Sequence, residues 1–269
     1  SFEFLIVDEF LRNALGARAL KTAFELNMID QLFASQPCTL EMLRVQANVD
    51  SRGLQLLLDL LVAIRVVERS GNDVALTADF MTALQYRDLL ELKLDYAFDV
   101  APDFLKLFTT LIRDPGQFME QSRTFDLFNY GRCYESTIEN YKQTVRWMRI
   151  TTTLTKYEAH ACMKHHDFGS YRSMLDIGGN SGEFALQVCR NFSDLSAIVM
   201  DLPLVCQIGR EHLAREPEVD RIRFLPGDAL EAAMPTGFDL VTFKSVLHDW
   251  PEDKVARFLG QAFQSLKPE

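Results

Sequence analysis

Leu175-Asp176-Ile177-Gly178-Gly179-Asn180-Ser181-Gly182-Glu183-Phe184 sets an acid and three glycines on a turn between an apolar strand and a helix. Met174, Leu175 and Ile177 read as a short buried strand, and Ala185, Val188, Cys189 and Phe192 recur at the spacing of a helix packed on a sheet. The turn between them is where a ligand would sit. Glycines there let a ligand approach the backbone with no Cβ in the way, and Asn180 is the residue type other than glycine that best tolerates left-handed geometry.

The spacing selects the nucleotide class. A dinucleotide fingerprint counted from Gly178 would need glycines at Asn180 and Glu183, so it is excluded. What fits is acid, any residue, glycine, two residues, then Ser181 and Gly182, followed by Asp201 at the end of the apolar run Ala197 to Met200. A carboxylate roughly 20 residues beyond such a turn can accept from both hydroxyls of a ribose. An ordinary tight turn with a strand-terminal Asp would explain these two features alone. The pattern recurs, however: a third strand around Ile222, Phe224 and Leu225 leads into Gly227, Asp228 and Ala229, and a fourth, Leu240 to Phe243, leads into Lys244, Ser245, Val246, Leu247, His248, Asp249 and Trp250. Polar residues at successive carboxyl ends of strands mark the ligand rim of an open α/β sheet.

In these four ordered motifs, Asp176 to Gly182, Asp201-Leu202-Pro203, Gly227-Asp228 and His248-Asp249-Trp250, the chain resembles the class I S-adenosylmethionine-dependent O-methyltransferases of the plant caffeate and hydroxyindole type, with bacterial polyketide relatives. The resemblance implies a Rossmann-like α/β domain preceded by an α-helical winged-helix dimerisation domain. It implies S-adenosyl-L-methionine as cofactor, S-adenosyl-L-homocysteine as product, and an acceptor hydroxyl on a small aromatic compound of secondary metabolism. Carried over by position, Asp176, Gly178, Gly179 and Gly182 form the cofactor turn, Asp201 and Leu202 meet the ribose, Gly227, Asp228 and Ala229 flank the adenine, and Lys244 touches the cofactor. His248 matches the catalytic base, and Trp147, Met148 and Trp250 match the acceptor wall. The chain departs from the family pattern at Asn180, where a third consecutive glycine is usual, and at Ala229, where a bulky residue is frequent.

The chemistry of that reading is undemanding. A sulfonium methyl is already activated, so a protein need only align donor and acceptor and exclude water. A phenol of pKa near ~10 is mostly protonated at neutral pH, and an imidazole is a suitable acceptor for its proton. A lone His after a strand is ordinarily a satisfied surface or core residue; beside Trp250 on the rim of this strand, His248 reads as the base. Asp249 could orient the imidazole, but Pro251, Glu252 and Asp253 favour a helix start there, and capping is the preferred reading.

Composition is compatible with these expectations. The 269 residues are 48% apolar, enough for two cores, and the net charge of -10 argues against a nucleic-acid partner. Five cysteines without paired spacing suggest reduced thiols and a cytoplasmic location. No apolar stretch reaches transmembrane length, so no membrane partner is expected.

Three segments are expected. Residues 1–85 show helical periodicity from Phe4 to about Phe33, Thr39 to Val45 and Gly53 to Ile64, then a hairpin of Val66 to Glu68 and Val74 to Leu76 across Ser70-Gly71-Asn72-Asp73. This is a winged-helix pattern, whose obvious role is DNA binding. Its candidate recognition helix, Asp50 to Ile64, carries only Arg52 as a base, which leaves phosphates without donors. Homodimerisation is the role the resemblance implies, with Phe2, Phe4, Leu5, Ile6, Phe10 and Leu11 as apolar surface. A ligand-sensing regulator, or a cofactor-binding relative without methyl transfer, are the alternatives.

Residues 86–170 are rich in aromatics and Met, a composition shared by cores and pockets. There Cys162, His165 and His166 share a helix face as zinc ligands might, but histidines in a last turn complement a helix carboxyl end, and no metal is expected. Residues 171–269 form the cofactor-binding domain. Only four strands can be counted in it where such sheets normally have seven, so the sequence is expected to be part of a longer protein.

Overall fold

The computed structural model describes residues 12–268, and the apolar run Phe2 to Leu11 lies outside the described residues. The chain forms two compact units that divide between Thr124 and Phe125, inside the segment read as helical and aromatic-rich.

The first unit comprises α1 (Arg12–Glu25), α2 (Met28–Ser35), β1 (Cys38–Thr39), α3 (Leu40–Gln46), α4 (Ser51–Ala63), β2 (Val67–Ser70), β3 (Asp73–Leu76), α5 (Ala78–Ala83), α6 (Arg87–Asp95), α7 (Asp103–Lys106), α8 (Phe108–Arg113) and α9 (Pro115–Gln121). Helix starts follow side-chain capping: Thr39 accepts from the Met42 N–H, and Asp50 from those of Arg52 and Gly53. The expected hairpin is β2–β3, antiparallel with Val67 opposite Leu76. The periodicity read as one helix up to Phe33 is broken, because Asn27 adopts φ 55 and ends one helix while starting the next. A local side-chain pattern cannot reveal that reversal. Strand β1, too short to show alternation, adds to the hairpin through Cys38 opposite Val74. Met28, Ile29, Leu32, Leu58, Leu61 and Val74 pack its core.

The second unit runs through the short turn Tyr130–Tyr134 into the 28-residue helix α10 (Ile138–His165), capped by Thr137. There follow β4 (Ser173–Ile177), α11 (Glu183–Asn191), β5 (Ser196–Asp201), α12 (Pro203–Leu213), β6 (Ile222–Pro226), β7 (Leu240–Thr242) and α13 (Glu252–Ser265). The four strands are parallel in the order β6-β5-β4-β7. The chain therefore walks outward from β4 to β6 and then returns to the other side of β4. That reversal opens a crevice at the carboxyl ends of β4 and β7. Beyond α13, Leu266 bridges in parallel to Phe238, and the Lys267 N–H donates to the Phe238 carbonyl at 2.9 Å.

The amino-terminal edge of this sheet is fastened by one carboxylate. Asp239 accepts from the Arg172 and Ser173 N–H groups, each at 2.9 Å, from the Ser173 hydroxyl at 3.1 Å and from Lys267 Nζ at 2.6 Å. These donors hold its carboxyl well below the ordinary value of 3.8, with the Lys267 hydrogen bond first. A depressed carboxyl stabilises the fold above its unfolded pKa and loses that contribution as pH falls through its folded one. Asp239→Ala is expected to lower unfolding free energy by about 1–3 kcal/mol at pH 7 in urea titrations, with the deficit shrinking as pH falls below about 4.

Candidate active site

The glycine turn sits at the carboxyl end of β4. Gly178 takes φ +65, and its N–H donates to the Met200 carbonyl at 2.8 Å, tying the turn to β5. A Cβ on Gly179 would lie 2.4 Å from Asp176 Oδ2, so only glycine lets the backbone pass over that carboxylate. Asn180 is left-handed at φ 55, as its residue type suggests. Gly182, at φ +77, precedes the first residue of α11.

Two acids are enclosed at the strand ends. Asp176 is fully buried; its Oδ1 accepts from the Thr242 hydroxyl at 2.7 Å, while Oδ2 has no partner. Desolvation pushes this carboxyl up to about 7. Asp201 faces the crevice but is closely surrounded by protein, and burial raises it to about 6 against the opposing pull of the Leu202 and Asn180 N–H groups. Those amides donate at 2.7 Å and 2.8 Å to its two oxygens.

A cavity of about 380 Å³ lies over these ends. Of the residues read from sequence, Asp176, Gly178, Gly179, Asp201, Leu202, Gly227, Asp228, Ala229, Lys244, His248, Trp147 and Trp250 line it. Gly182 and Met148 are buried and set back from it. On a helix the next residue is rotated by roughly 100°, so Met148 turns away from the wall that Trp147 makes.

Several lining residues escaped the sequence reading. Thr151, Leu154, Thr155 and Glu158 continue along the cavity the stripe of α10 that Trp147 begins, a helical spacing that could have flagged them. Lys244 Nζ donates to the Thr155 hydroxyl at 2.9 Å and pairs with Glu158. Tyr134 donates to Asp228 Oδ2 at 2.5 Å, and this bond pushes the phenol up to about 12. Tyr130, its ring centroid 5.3 Å from that of Trp147, donates to Asp249 Oδ2 at 3.1 Å.

The expectation that Asp249 caps the next helix is corrected. Pro251 occupies the cap of α13 and no side chain caps it. Asp249 lies instead on a short turn, Leu247–Asp249, with its Oδ1 3.2 Å from His248 Nε2 and its Oδ2 on Tyr130. The His248 side chain is 69% exposed and open to solvent. In the other histidine cluster, His166 stacks on Tyr171 and meets Phe168 edge-on, and His160 Nδ1 contacts the Lys156 carbonyl.

The donor set suits a nucleoside carrying a cationic sulfonium. Five carboxylates, Glu158, Asp176, Asp201, Asp228 and Asp249, line the space with one cation, Lys244, beside aromatic and aliphatic walls, and one buried acceptor oxygen of Asp176 is unmatched.

The model of the O-methyltransferase domain family matches residues 113–269. The chain belongs to that family. It is thus a class I S-adenosylmethionine-dependent O-methyltransferase. The mitomycin biosynthesis 6-O-methyltransferase of Streptomyces lavendulae is 28% identical over 98% of this chain and 74% of its own length. The acetylserotonin O-methyltransferase of Gallus gallus is 22% identical over 98% and 77%. Human N-acetylserotonin methyltransferase in complex with S-adenosylmethionine shares the fold with a TM-score of 0.75, at 20% identity over all of this chain and 78% of that one. The chain spans about three quarters of the length of these proteins. Among the described residues, no helix of this methyltransferase is long and apolar enough to cross a membrane.

The raised carboxyls set the pH dependence of the ligand-free methyltransferase. Asp176 and Asp201 keep protons in the fold that the unfolded chain, at about 3.8, has released. Stability is therefore expected to fall as pH rises from about 4 through about 7. Calorimetric melting midpoints between pH 5 and 8 would show this slope, and Asp176→Asn is expected to flatten it.

Proposed function

We propose that the cavity binds S-adenosylmethionine and directs its methyl group to a hydroxyl of a small aromatic metabolite, with His248 as general base. The observation that carries this reading is the convergence of Asp176, Asp201, Asp228 and His248 on one aromatic-walled cavity at the switch point of the sheet.

When bound, S-adenosylmethionine supplies an activated methyl on sulfur. Asp201, with both oxygens fixed by backbone amides, keeps free lone pairs for ribose hydroxyls. Asp228 and Ala229 flank the space suited to the adenine, and Gly178, Gly179 and Lys244 border the methionine end. Phe128, Tyr130, Trp147, Trp250 and Phe258 offer flat apolar faces to an aromatic acceptor and exclude water from the transfer. His248 takes the acceptor proton as charge leaves the oxygen, with its Nε2 3.2 Å from Asp249 Oδ1. The names of the mitomycin and acetylserotonin relatives both denote O-methylation, which supports a hydroxyl acceptor.

The first unit serves homodimerisation in this reading, as a winged-helix-like module. Exposed Phe33, Val45 and Leu56 supply apolar surface to a partner copy. The buried free thiols Cys38, Cys133, Cys189 and Cys206 support a reducing, cytoplasmic setting.

Calorimetry on the intact protein is expected to detect S-adenosylhomocysteine binding that Asp201→Ala abolishes. His248→Ala is expected to retain binding while lowering turnover by about 10²–10⁴-fold in a methyl-transfer screen over phenolic acceptors. Absence of binding by the wild-type protein would overturn the reading.

A further inference from the structure

Asn180 is held in the left-handed region, at φ 55, where a side chain other than glycine is strained unless something fixes it. Its Oδ1 accepts from the Ser181 N–H at 2.9 Å and from the Thr151 hydroxyl at 3.0 Å. The hydroxyl oxygen of Thr151, which carries a single proton, also lies 3.1 Å from the Met148 carbonyl oxygen. Donation to Met148 alone would leave two oxygen acceptors 3.0 Å apart, so the proton belongs to Asn180. One position on, Thr152 donates to the buried Ser181 hydroxyl at 2.7 Å. The Asn180 N–H, aimed by this conformation, donates to Asp201 Oδ2 at 2.8 Å. Two consecutive threonines of α10 thus grip two consecutive residues of the turn, and the grip ends on the Asp201 carboxylate.

We infer that Thr151 is a positioning residue for the cofactor: its hydroxyl fixes the Asn180 turn, the turn orients Asp201, and the α10 face that carries Trp147 is thereby tied to the nucleoside end of the site. The inference rests on the assignment of the cavity to S-adenosylmethionine and of Asp201 to its ribose. Glycine at position 180 would adopt the same backbone without an anchor, so Asn180 and Thr151 act as a pair, each required because of the other.

The test is a double-mutant cycle on the full chain, with S-adenosylhomocysteine as the calorimetric probe and melting midpoints read on every variant. Thr151→Val is expected to weaken binding about five- to tenfold in the wild-type background and less than twofold in an Asn180→Gly background. Thr151→Ser, which keeps the hydroxyl, is expected to recover most of the affinity.

A second readout is pH. The Asn180 N–H favours the ionised form of Asp201, so Thr151→Val should move the acid limb of binding upward from about 6. Asp176 on β4, Tyr130 and Cys133 on the turn Tyr130–Tyr134 and Cys206 on α12 also face Asp201, and Thr151→Val leaves them in place. Unchanged affinity in Thr151→Val, or an equal loss in both backgrounds, would overturn the inference. If the wild-type protein binds no S-adenosylhomocysteine, or Asp201→Ala binds as wild type does, the assignment of the site fails instead.

Discussion

Two carboxylates enclosed at the ends of adjacent parallel strands, Asp176 fully buried and Asp201 half-buried, are the constraint around which the second unit is organised. Asp176 pairs with Val199, two residues short of Asp201, so the Ile177–Met200 pair lies between the two acids across β4 and β5. Enclosure raises both toward neutrality, and only directed donors keep charge there affordable. For Asp201 those donors are backbone amides of the glycine turn and of the strand end. The turn must therefore pass close over both acids, which excludes a Cβ at Gly179 and forces left-handed geometry at Gly178 and Asn180. Conformation and electrostatics are here one requirement.

The remainder of the site follows from where that turn lies. Strand β7 returns beside β4, and Thr242, opposite Asp176 in register, supplies the hydroxyl that the buried acid accepts. The chain beyond β7 then delivers Lys244, His248 and Asp249 to the same rim. Helix α10 closes the opposite wall. Its threonines satisfy the turn while Trp147 and Leu154 present apolar surface, so one helix meets both the polar and the aromatic ends of the cavity.

Two of the rim acids are engaged by tyrosines. Tyr134 holds Asp228, and Tyr130 holds Asp249, so both phenols donate to carboxylates that face the cavity. Burial and the nearby Asp249 charge raise the Tyr130 phenol, keeping it a donor across the physiological range. The helix-capping expectation for Asp249 failed for this reason: a carboxylate near a helix start has the same local signature whether it caps or is drawn to a distant phenol.

The sequence by itself determined what depends on near neighbours. Strand–turn–helix periodicity, the acids closing β4 and β5, the β2–β3 hairpin and the left-handed tolerance of Asn180 are all properties of a few consecutive residues, and each was legible as such. Tertiary structure alone decided which residues meet. Thr151 and Asn180 are 29 positions apart, Tyr134 and Asp228 are 94, and Tyr130 and Asp249 are 119. No periodicity spans such separations. Their contacts exist because the order β6-β5-β4-β7 brings the strand ends under one helix, and that order is fixed by packing.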